Sequence, residues 1–159
     1  MEVKVSSIKQ AKAELKSIKT ENVKLIIASS YNDDIDNVKS ENKLVLQFDD
    51  ITTVNQKSIN KDIARRINMF ISNIDFNKEN LYVCCDSGVS RSAAIAAAIL
   101  RKYKQNENII WKNYYYQPNI LVYKTLCDEF DLRNSPLTLK YKVTINKKAL
   151  KKKIRESRK

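Results

Sequence analysis

Hydrophobic and polar residues follow two patterns along the chain. Short apolar runs bounded by Asn, Asp or Ser are typical of strands in a sheet that is covered on both faces. Between these runs, apolar residues recur every three or four positions, as they do on one face of a helix. The predicted strands are 3–7, 23–28, 44–48 and 81–84, and the predicted helices are 8–18, 59–71, 92–103 and one beginning at Pro118. This order predicts a single α/β domain with a central, mainly parallel sheet flanked by helices.

Three details of the predicted helices depend on single residues. We expect Ile18 to share the buried face of the first helix with Ala11 and Leu15. Ser58 precedes the second helix and suits its N-cap, because a Ser side chain there accepts a backbone hydrogen bond. Pro118 suits the first residue of the last helix, where its missing N–H leaves no bond unmade.

The composition excludes several kinds of site. The 159 residues include no His, which excludes Ser-His-Asp triads, Cys-His pairs and HExxH zinc sites. The one glycine, Gly88, is too few for glycine-rich loops of the Rossmann or Walker type. Three cysteines cannot form a four-cysteine zinc site or a disulfide framework. The acidic segment 32–37 lacks the glycine and terminal glutamate of a calcium loop. We therefore expect neither a metal nor a cofactor.

The sequence shows no targeting or membrane segment. The first ten residues lack the apolar run of a signal peptide. No stretch reaches the length of about 18 apolar residues that a transmembrane helix needs. We therefore expect a cytoplasmic protein in a reducing compartment.

The positive charge is concentrated at the C-terminal end. The net charge is +12, and residues 140–159 contribute +9 of it through ten Lys or Arg and the single acid Glu156. Ser135-Pro136 is predicted to close the compact part, which gives a catalytic domain at 1–139 and a basic tail at 140–159. The tail suits a polyanion, either RNA, DNA or anionic lipid. A solvated basic helix or frayed end explains the same residues equally well.

The segment from Val83 to Ser92 carries the candidate chemistry. It joins a strand to a helix that is apolar almost all round and is therefore central. Gly88 lies in the turn, where the backbone needs a positive φ or a close approach to a ligand. The N–H groups after Cys85 suit an anion nest beside the positive end of the helix, which favours the thiolate of Cys85. Arg91 adds a planar fork for two phosphate oxygens.

The Cys-x5-Arg-Ser spacing, with Gly88 three residues after Cys85, resembles the signature of the cysteine-dependent protein tyrosine phosphatases. The Gly-Val-Ser-Arg-Ser ending is most similar to the dual-specificity branch. The resemblance implies that Cys85 attacks phosphorus and forms a phosphocysteine, which water then hydrolyses. It also implies that Ser92 helps the thiolate to leave. The implied phosphate-binding residues are Asp86, Ser87, Gly88, Val89, Ser90 and Arg91.

The resemblance also implies a general acid on a separate loop. Members of the family carry an aspartic acid roughly thirty to forty residues before the cysteine, and Asp49 and Asp50 lie 36 and 35 residues before Cys85. The Phe-x-Asp-Ile pattern favours Asp50, and Asp49 stays the second choice. The alternative is that one of the two only caps a turn. The sequence around Pro118 also looks like this subgroup.

One position departs from the family pattern. The family has His before the nucleophile, and this chain has Cys84. Cys84 is a weak hydrogen-bond donor, so it suits packing under the sheet better than support of the loop. A second role for Cys84, trapping an oxidised Cys85, is disfavoured because adjacent cysteines close a strained ring. We expect Cys127 to lie in the core.

The aromatic residues Tyr114, Tyr115 and Tyr116, with Trp111, have two interpretations. They suit stacking on bases or lining a substrate mouth. We favour the alternative, that they are partly buried residues preceding the helix.

These observations predict a metal-independent phosphatase that acts on protein phosphotyrosine and also on phosphoserine or phosphothreonine. Two alternatives stay open. One is a weak or inactive phosphatase-like module that binds phosphate. The other is a phosphatase of RNA 5′-phosphates or phosphoinositides, guided by the basic tail. Sulfur transfer of the rhodanese type is a distant third, because the Gly-x-x-Arg-Ser ending disfavours it.

Overall fold

The computed structural model describes residues 1–31 and 33–158, so Asn32 of the acidic segment and Lys159 of the basic tail lie outside the described residues. The described residues form four strands, six α-helices and a short 3₁₀ helix at Ser40–Asn42. The strands are β1 (Val3–Ser7), β2 (Val23–Ser29), β3 (Lys43–Gln47) and β4 (Asn80–Cys85). The helices are α1 (Ile8–Leu15), α2 (Lys61–Ser72), α3 (Arg91–Lys102), α4 (Asn108–Trp111), α5 (Ile120–Glu129) and α6 (Pro136–Glu156).

The strands form one parallel sheet in the order β1-β4-β2-β3. The predicted single α/β domain with a parallel sheet is therefore confirmed, and β1 lies at an edge as expected. Because all strands run the same way, the carboxyl ends of β4, β2 and β3 meet at one edge of the sheet. That edge is where ligands bind in open α/β folds.

The sheet separates two hydrophobic clusters. Val83 and Cys85 of β4 belong to the larger cluster with α2, α3 and α5. Tyr82 and Cys84 alternate with them and join α1 in the smaller cluster. This period of two places successive β4 side chains on opposite faces. Helix α3 lies in the larger cluster, and its residues from Arg91 to Leu100 are all buried.

Two predicted features of the helices were wrong. Helix α1 ends at Leu15, and Ile18 is 42% exposed instead of buried. The side chain of Asn37 donates a hydrogen bond to the Leu15 carbonyl at 2.6 Å. A residue distant in sequence therefore satisfies the carbonyl at the end of the helix. Ser58 is not the cap of α2. Its hydroxyl lies within a turn with Asn55, and Asn60 accepts from the backbone N–H of the helix.

The helix predicted to begin at Pro118 starts later than expected, and it is not the last helix. Asn119 is the N-cap of α5, and Pro118 lies just before it. A further helix, α6, follows with Ser135 as its N-cap and Pro136 in its first turn. This helix continues without a break across the boundary that was expected between residues 139 and 140. No helix in the described part of the chain has both the length and the apolar character needed to cross a membrane.

Candidate active site

The loop after β4 lies where the carboxyl ends of the strands meet. Cys85 is the last residue of β4, and Ser30 and Phe48 directly follow β2 and β3. Ser30 and Phe48 both accept hydrogen bonds from the guanidinium group of Arg91, the first residue of α3, and Cys85 contacts the next residue, Ser92. The parallel topology therefore assembles the site from three strand ends and one helix start.

Gly88 determines the shape of this loop. Its φ of +73° lies in the left-handed region, as the sequence predicts. A Cβ atom here would come 2.9 Å from the Ser6 carbonyl oxygen and closer still to the backbone nitrogen of Ser7. The loop therefore packs closely against the end of β1. Both the φ angle and the packing exclude a side chain at this position.

The backbone N–H groups of the loop are open. Within residues 1–31 and 33–158, no N–H from Asp86 to Arg91 donates a hydrogen bond to the protein. Ser90 is the N-cap of α3, yet its side chain makes no capping bond to the helix. The start of a twelve-residue buried helix is therefore uncapped beside these amides. An uncapped helix start and a row of free amides favour an anion at this place.

Arg91 is positioned as an anion clamp. It is only 3% exposed. One terminal nitrogen, Nη1, donates to the Phe48 carbonyl at 2.6 Å and to the Ser30 hydroxyl at 3.2 Å. Its Nε is buried and has no partner among the described residues. A buried guanidinium donor without a partner is costly, and a bound oxyanion would satisfy it.

The other terminal nitrogen of Arg91 pairs with the carboxylate of Asp86, the residue directly after Cys85. Burial would by itself raise the Asp86 pKa. Hydrogen bonds from Arg91 and Ser29 outweigh that effect, so the pKa of Asp86 is lowered from its ordinary value. Asp86 therefore holds a negative charge at the position where an incoming phosphate would meet Arg91.

Cys85 and Ser92 lie together at the base of the loop. Cys85 is 1% exposed, and its Sγ lies 3.0 Å from the Ser92 Oγ. A hydroxyl at this distance can donate to a thiolate. The structure therefore brings the expected nucleophile and its expected hydroxyl partner into contact.

Cys84 faces away from the site. It lies in the cluster around α1, on the opposite face of the sheet from Cys85. Burial raises the pKa of Cys84 to about 12, with the neighbouring Cys85 adding to the effect. Cys84 thus has the packing position that the sequence favoured. Cys127 is likewise buried in the core, and burial raises its pKa.

Asp50 reaches the loop from the segment after β3. Its Oδ1 accepts hydrogen bonds from the Ser90 hydroxyl at 2.8 Å and from the Asn119 side chain at 2.7 Å. The Asp49 backbone N–H donates to the Lys57 carbonyl, and Asp49 lines a cavity of about 300 Å³ together with Ser30 and Phe48. Of the two acids, Asp50 is the one whose carboxylate the structure brings to the loop.

Asn119 is a site residue that the sequence reasoning did not assign. Its Nδ2 donates to Asp50 and to the Ile51 carbonyl, while its Oδ1 caps α5 by accepting from Leu121 and Val122. A buried cap thus holds the loop that carries Asp50. The Pro-Asn pair before an apolar helix was the available signal for this cap. The sequence analysis used only Pro118 and placed the start of the helix there.

The Cys85 loop does not line the cavity formed by α2, α5 and the segment 54–60. A cavity of about 640 Å³ lies between α2, α5 and the segment 54–60, and contains no residue from 85 to 92. Trp111 is buried and Tyr116 partly buried, whereas Tyr114 and Tyr115 are half-exposed.

Within residues 1–31 and 33–158, no three His, Cys, Asp or Glu side chains cluster as metal ligands would.

Comparisons with known proteins yield similar structures only. No protein-family model matches the sequence. No curated protein matches it. One similar structure is a crystal structure of PTPMT1 in complex with PI(5)P, with 14% identity, a TM-score of 0.45, and coverage of 95% of this chain and 94% of that chain. A second crystal structure of PTPMT1 has 16% identity, a TM-score of 0.44, and coverage of 97% and 95%.

At this identity and TM-score the two structures carry no inference about activity. The chemistry of this chain is therefore inferred from its own loop.

Proposed function

We propose that this protein is a metal-independent phosphatase that hydrolyses phosphate monoesters through a phosphocysteine on Cys85. The observation that supports the proposal most strongly is the unpartnered Nε of Arg91 beside the open amides of residues 86–91. In this proposal, the phosphoryl group binds to these donors in front of the Cys85 thiol. A phosphoryl group placed there would meet a nucleophile on one side and donors for its equatorial oxygens around it.

In the first step, the Cys85 thiolate attacks phosphorus and the ester oxygen leaves. Asp50 is placed to protonate that oxygen, and the hydrogen bonds from Ser90 and Asn119 fix the orientation of its carboxylate. In the second step, Asp50 accepts a proton from the attacking water. Ser92 donates to the departing thiolate of Cys85 across 3.0 Å.

Phosphotyrosine is the substrate class that the geometry favours. Cys85 and Arg91 are both almost fully buried, so we expect the phosphate to bind below the level of the surrounding surface. An aromatic ester extends further from the peptide backbone than a serine ester does. We therefore expect faster hydrolysis of phosphotyrosine peptides than of phosphoserine or phosphothreonine peptides.

The direct test is hydrolysis of p-nitrophenyl phosphate in reductant and EDTA, comparing the wild type with Cys85→Ser and Cys84→Ser. We expect turnover in the wild type and in Cys84→Ser, and none in Cys85→Ser. Cys84→Ser is the matched control, because it makes the same change one residue away on the other face of the sheet.

Residual turnover of Cys85→Ser near the wild-type rate would remove Cys85 from the mechanism. A folded wild type that binds vanadate without turnover would instead show a phosphate-binding module. In that case the Cys84 position, where the family has His, is the first residue to exchange.

A further inference from the structure

The exposed side of α6 carries a second positive region, separate from the Cys85 loop. We call it the basic stripe, and it consists of Lys147, Lys148, Lys151, Lys152, Arg155 and Arg158. We propose that the basic stripe binds the phosphodiester backbone of duplex DNA without reading its sequence. This proposal does not depend on the phosphatase activity proposed above.

The basic stripe faces solvent because the opposite side of α6 packs on the body. With about 3.6 residues per turn, the five side chains from Lys147 to Arg155 fall within an arc of about 140°, and Arg158 follows just after the helix end. Lys142 and Asn146 lie on the opposite side of the helix and are buried. All six residues of the basic stripe are exposed. The stripe therefore presents charge outward along the last three turns.

The buried side of α6 is anchored by polar contacts, so the helix is held in place. Lys142 forms an ion pair with Glu107 at 2.7 Å, and its ammonium lies over the rings of Trp111 and Tyr123. The Asn146 side chain donates to the Tyr116 carbonyl at 2.7 Å. These contacts fix the first half of the helix, and the second half extends beyond them.

The charge of the basic stripe is almost uncompensated. Its one ion pair among the described residues joins Lys152 to Glu156 at 3.9 Å, and both side chains are exposed. Exposed pairs at this distance contribute little, so the pair leaves the potential strongly positive. The body of the protein, with a net charge of +3 over residues 1–139, does not offset it.

The shape of this segment favours duplex DNA over a membrane. A helix that lies on a membrane needs apolar residues on the side that enters the lipid. Here the apolar side of α6 packs on the body, and Ile154 is the one large apolar residue exposed between residues 147 and 158. Every residue from 151 to 158 is exposed, and Lys153 lies over the ring of Tyr114 on the side that faces the body. The helix is about 10–12 Å wide, so its exposed side fits a major groove about 12 Å wide.

The dimensions set the expected number of contacts. Residues 147–158 span about 17 Å along the helix axis. Duplex DNA carries about one charge per 1.7 Å, so roughly ten phosphates lie within that span. Six side chains on one arc can reach a fraction of these. We therefore expect about four to six phosphate contacts and a slope of log K against log salt of about −4 to −5.

The test is binding of a labelled DNA duplex of about 20 base pairs, measured by fluorescence anisotropy over a salt series. The variant replaces Lys147, Lys151 and Arg155 with Ala. The matched control replaces Lys9, Lys16 and Lys19, which are exposed on or beside α1, with Ala and so removes the same charge. We expect the stripe variant to bind at least about tenfold more weakly at low salt, with a slope shallower by about 2.7. The control should bind like the wild type.

Three outcomes would overturn the proposal. Absence of duplex binding at low salt would do so directly. An equal loss in both triple variants would assign binding to net charge and not to the basic stripe. Stripe-dependent binding to phosphatidylserine vesicles that exceeds binding to DNA would show that a lipid surface is the partner.

Discussion

The protein has two positive regions, and they are built in opposite ways. In the Cys85 loop one guanidinium group, that of Arg91, is buried, and backbone amides supply the remaining positive potential. In the basic stripe six long side chains lie in solvent, and little else fixes their positions. The first region has directed donors around one point, and the second has diffuse charge along a line.

This difference predicts different responses to salt and to geometry. Buried donors are weakly screened, whereas the interaction between exposed charges is largely lost beyond a Debye length, which is about 10 Å at 0.1 M salt. The Cys85 loop should therefore depend on the exact donor present and little on salt. The basic stripe should depend on the number of charges and steeply on salt. The predictions below test this distinction, beginning with the largest effect.

Arg91→Lys should have the largest effect. Lysine keeps the positive charge but lacks the planar fork, so the charge stays while the directed donors are lost. We expect the rate of p-nitrophenyl phosphate hydrolysis to fall about 100- to 1,000-fold, the usual result of removing an oxyanion donor. Arg101→Lys makes the same change in a partly buried network at the other end of α3 and is the control. A near wild-type rate for Arg91→Lys would show that charge alone suffices.

Asp50→Ala should slow the reaction according to the leaving group. Loss of a general acid costs about 100-fold or more where the leaving oxygen needs a proton. We expect a large decrease in kcat for a phenyl or alkyl phosphate and a small one for p-nitrophenyl phosphate, whose phenolate leaves readily. Asp49→Ala is the control, since its backbone and side chain lie by Lys57. The reverse pattern between the two variants would move the acid to Asp49.

Asp86→Asn should have a smaller and opposite effect. The Asp86 carboxylate forms an ion pair with Arg91, so a phosphate must compete with this carboxylate for the guanidinium group. Removing the charge should tighten vanadate binding roughly two- to fivefold, as expected for a partly exposed ion pair. Because the pKa of Asp86 is lowered, its carboxylate stays charged from about pH 5 to 8, and the gain should be constant over that range.

The same ion pair has a defined effect on the stability of the fold. A lowered pKa of Asp86 in the folded state stabilises the protein above the unfolded pKa, and this contribution is lost as pH falls through the folded value. The acid midpoint of unfolding, followed by circular dichroism, should therefore shift to higher pH in Asp86→Asn. In the vanadate experiment described above, weaker binding to Asp86→Asn than to the wild type would contradict the prediction. It would show that Asp86 supports the position of Arg91 and does not compete with the anion.

The basic stripe should have the smallest effect on hydrolysis of a small substrate. The triple variant at Lys147, Lys151 and Arg155 should change kcat/KM for p-nitrophenyl phosphate less than about twofold at 0.15 M salt, because the charges are exposed and screened. The rate of the wild type should also vary little across a salt series. A steep salt dependence that disappears in the variant would show that the two regions act on one substrate.

The position of the Cys85 loop between a strand and a helix could be predicted because the features that fix it are local. Cys85, Gly88 and Arg91 lie within seven residues, and the strand before them and the helix after them are strongly apolar. The positive φ of Gly88 follows from its place in a tight turn. Its packing against the backbone of β1 did not follow, since that contact joins residues about eighty positions apart.

The features that sequence missed depend on distant contacts or on small choices between similar residues. Ser58 and Asn60 are both good caps, and the buried Ile59 between them leaves the hydrophobic pattern the same in either case. Asn119 combines a helix cap with a contact to Asp50, which is 69 residues away. Local propensity cannot distinguish such alternatives.

Helix α6 was expected only as a basic tail because its buried face contains polar residues. Lys142 and Asn146 are the buried residues of this helix, and both bond to groups around α4. A hydrophobic periodicity search finds neither, since a buried lysine is recognisable only once its partner Glu107 is known. The charge of the segment could be predicted, but its rigid attachment could not.

The most direct test of the central claim is chemical trapping of the phosphoenzyme. Wild type would be mixed with p-nitrophenyl phosphate, quenched within a turnover, digested and analysed by mass spectrometry. We predict a phosphate adduct on Cys85, absent from Cys85→Ser and accumulating further in Ser92→Ala, where the thiolate leaves more slowly. An active wild type that shows no adduct on Cys85, or one whose adduct lies on Cys84 or another residue, would contradict the account.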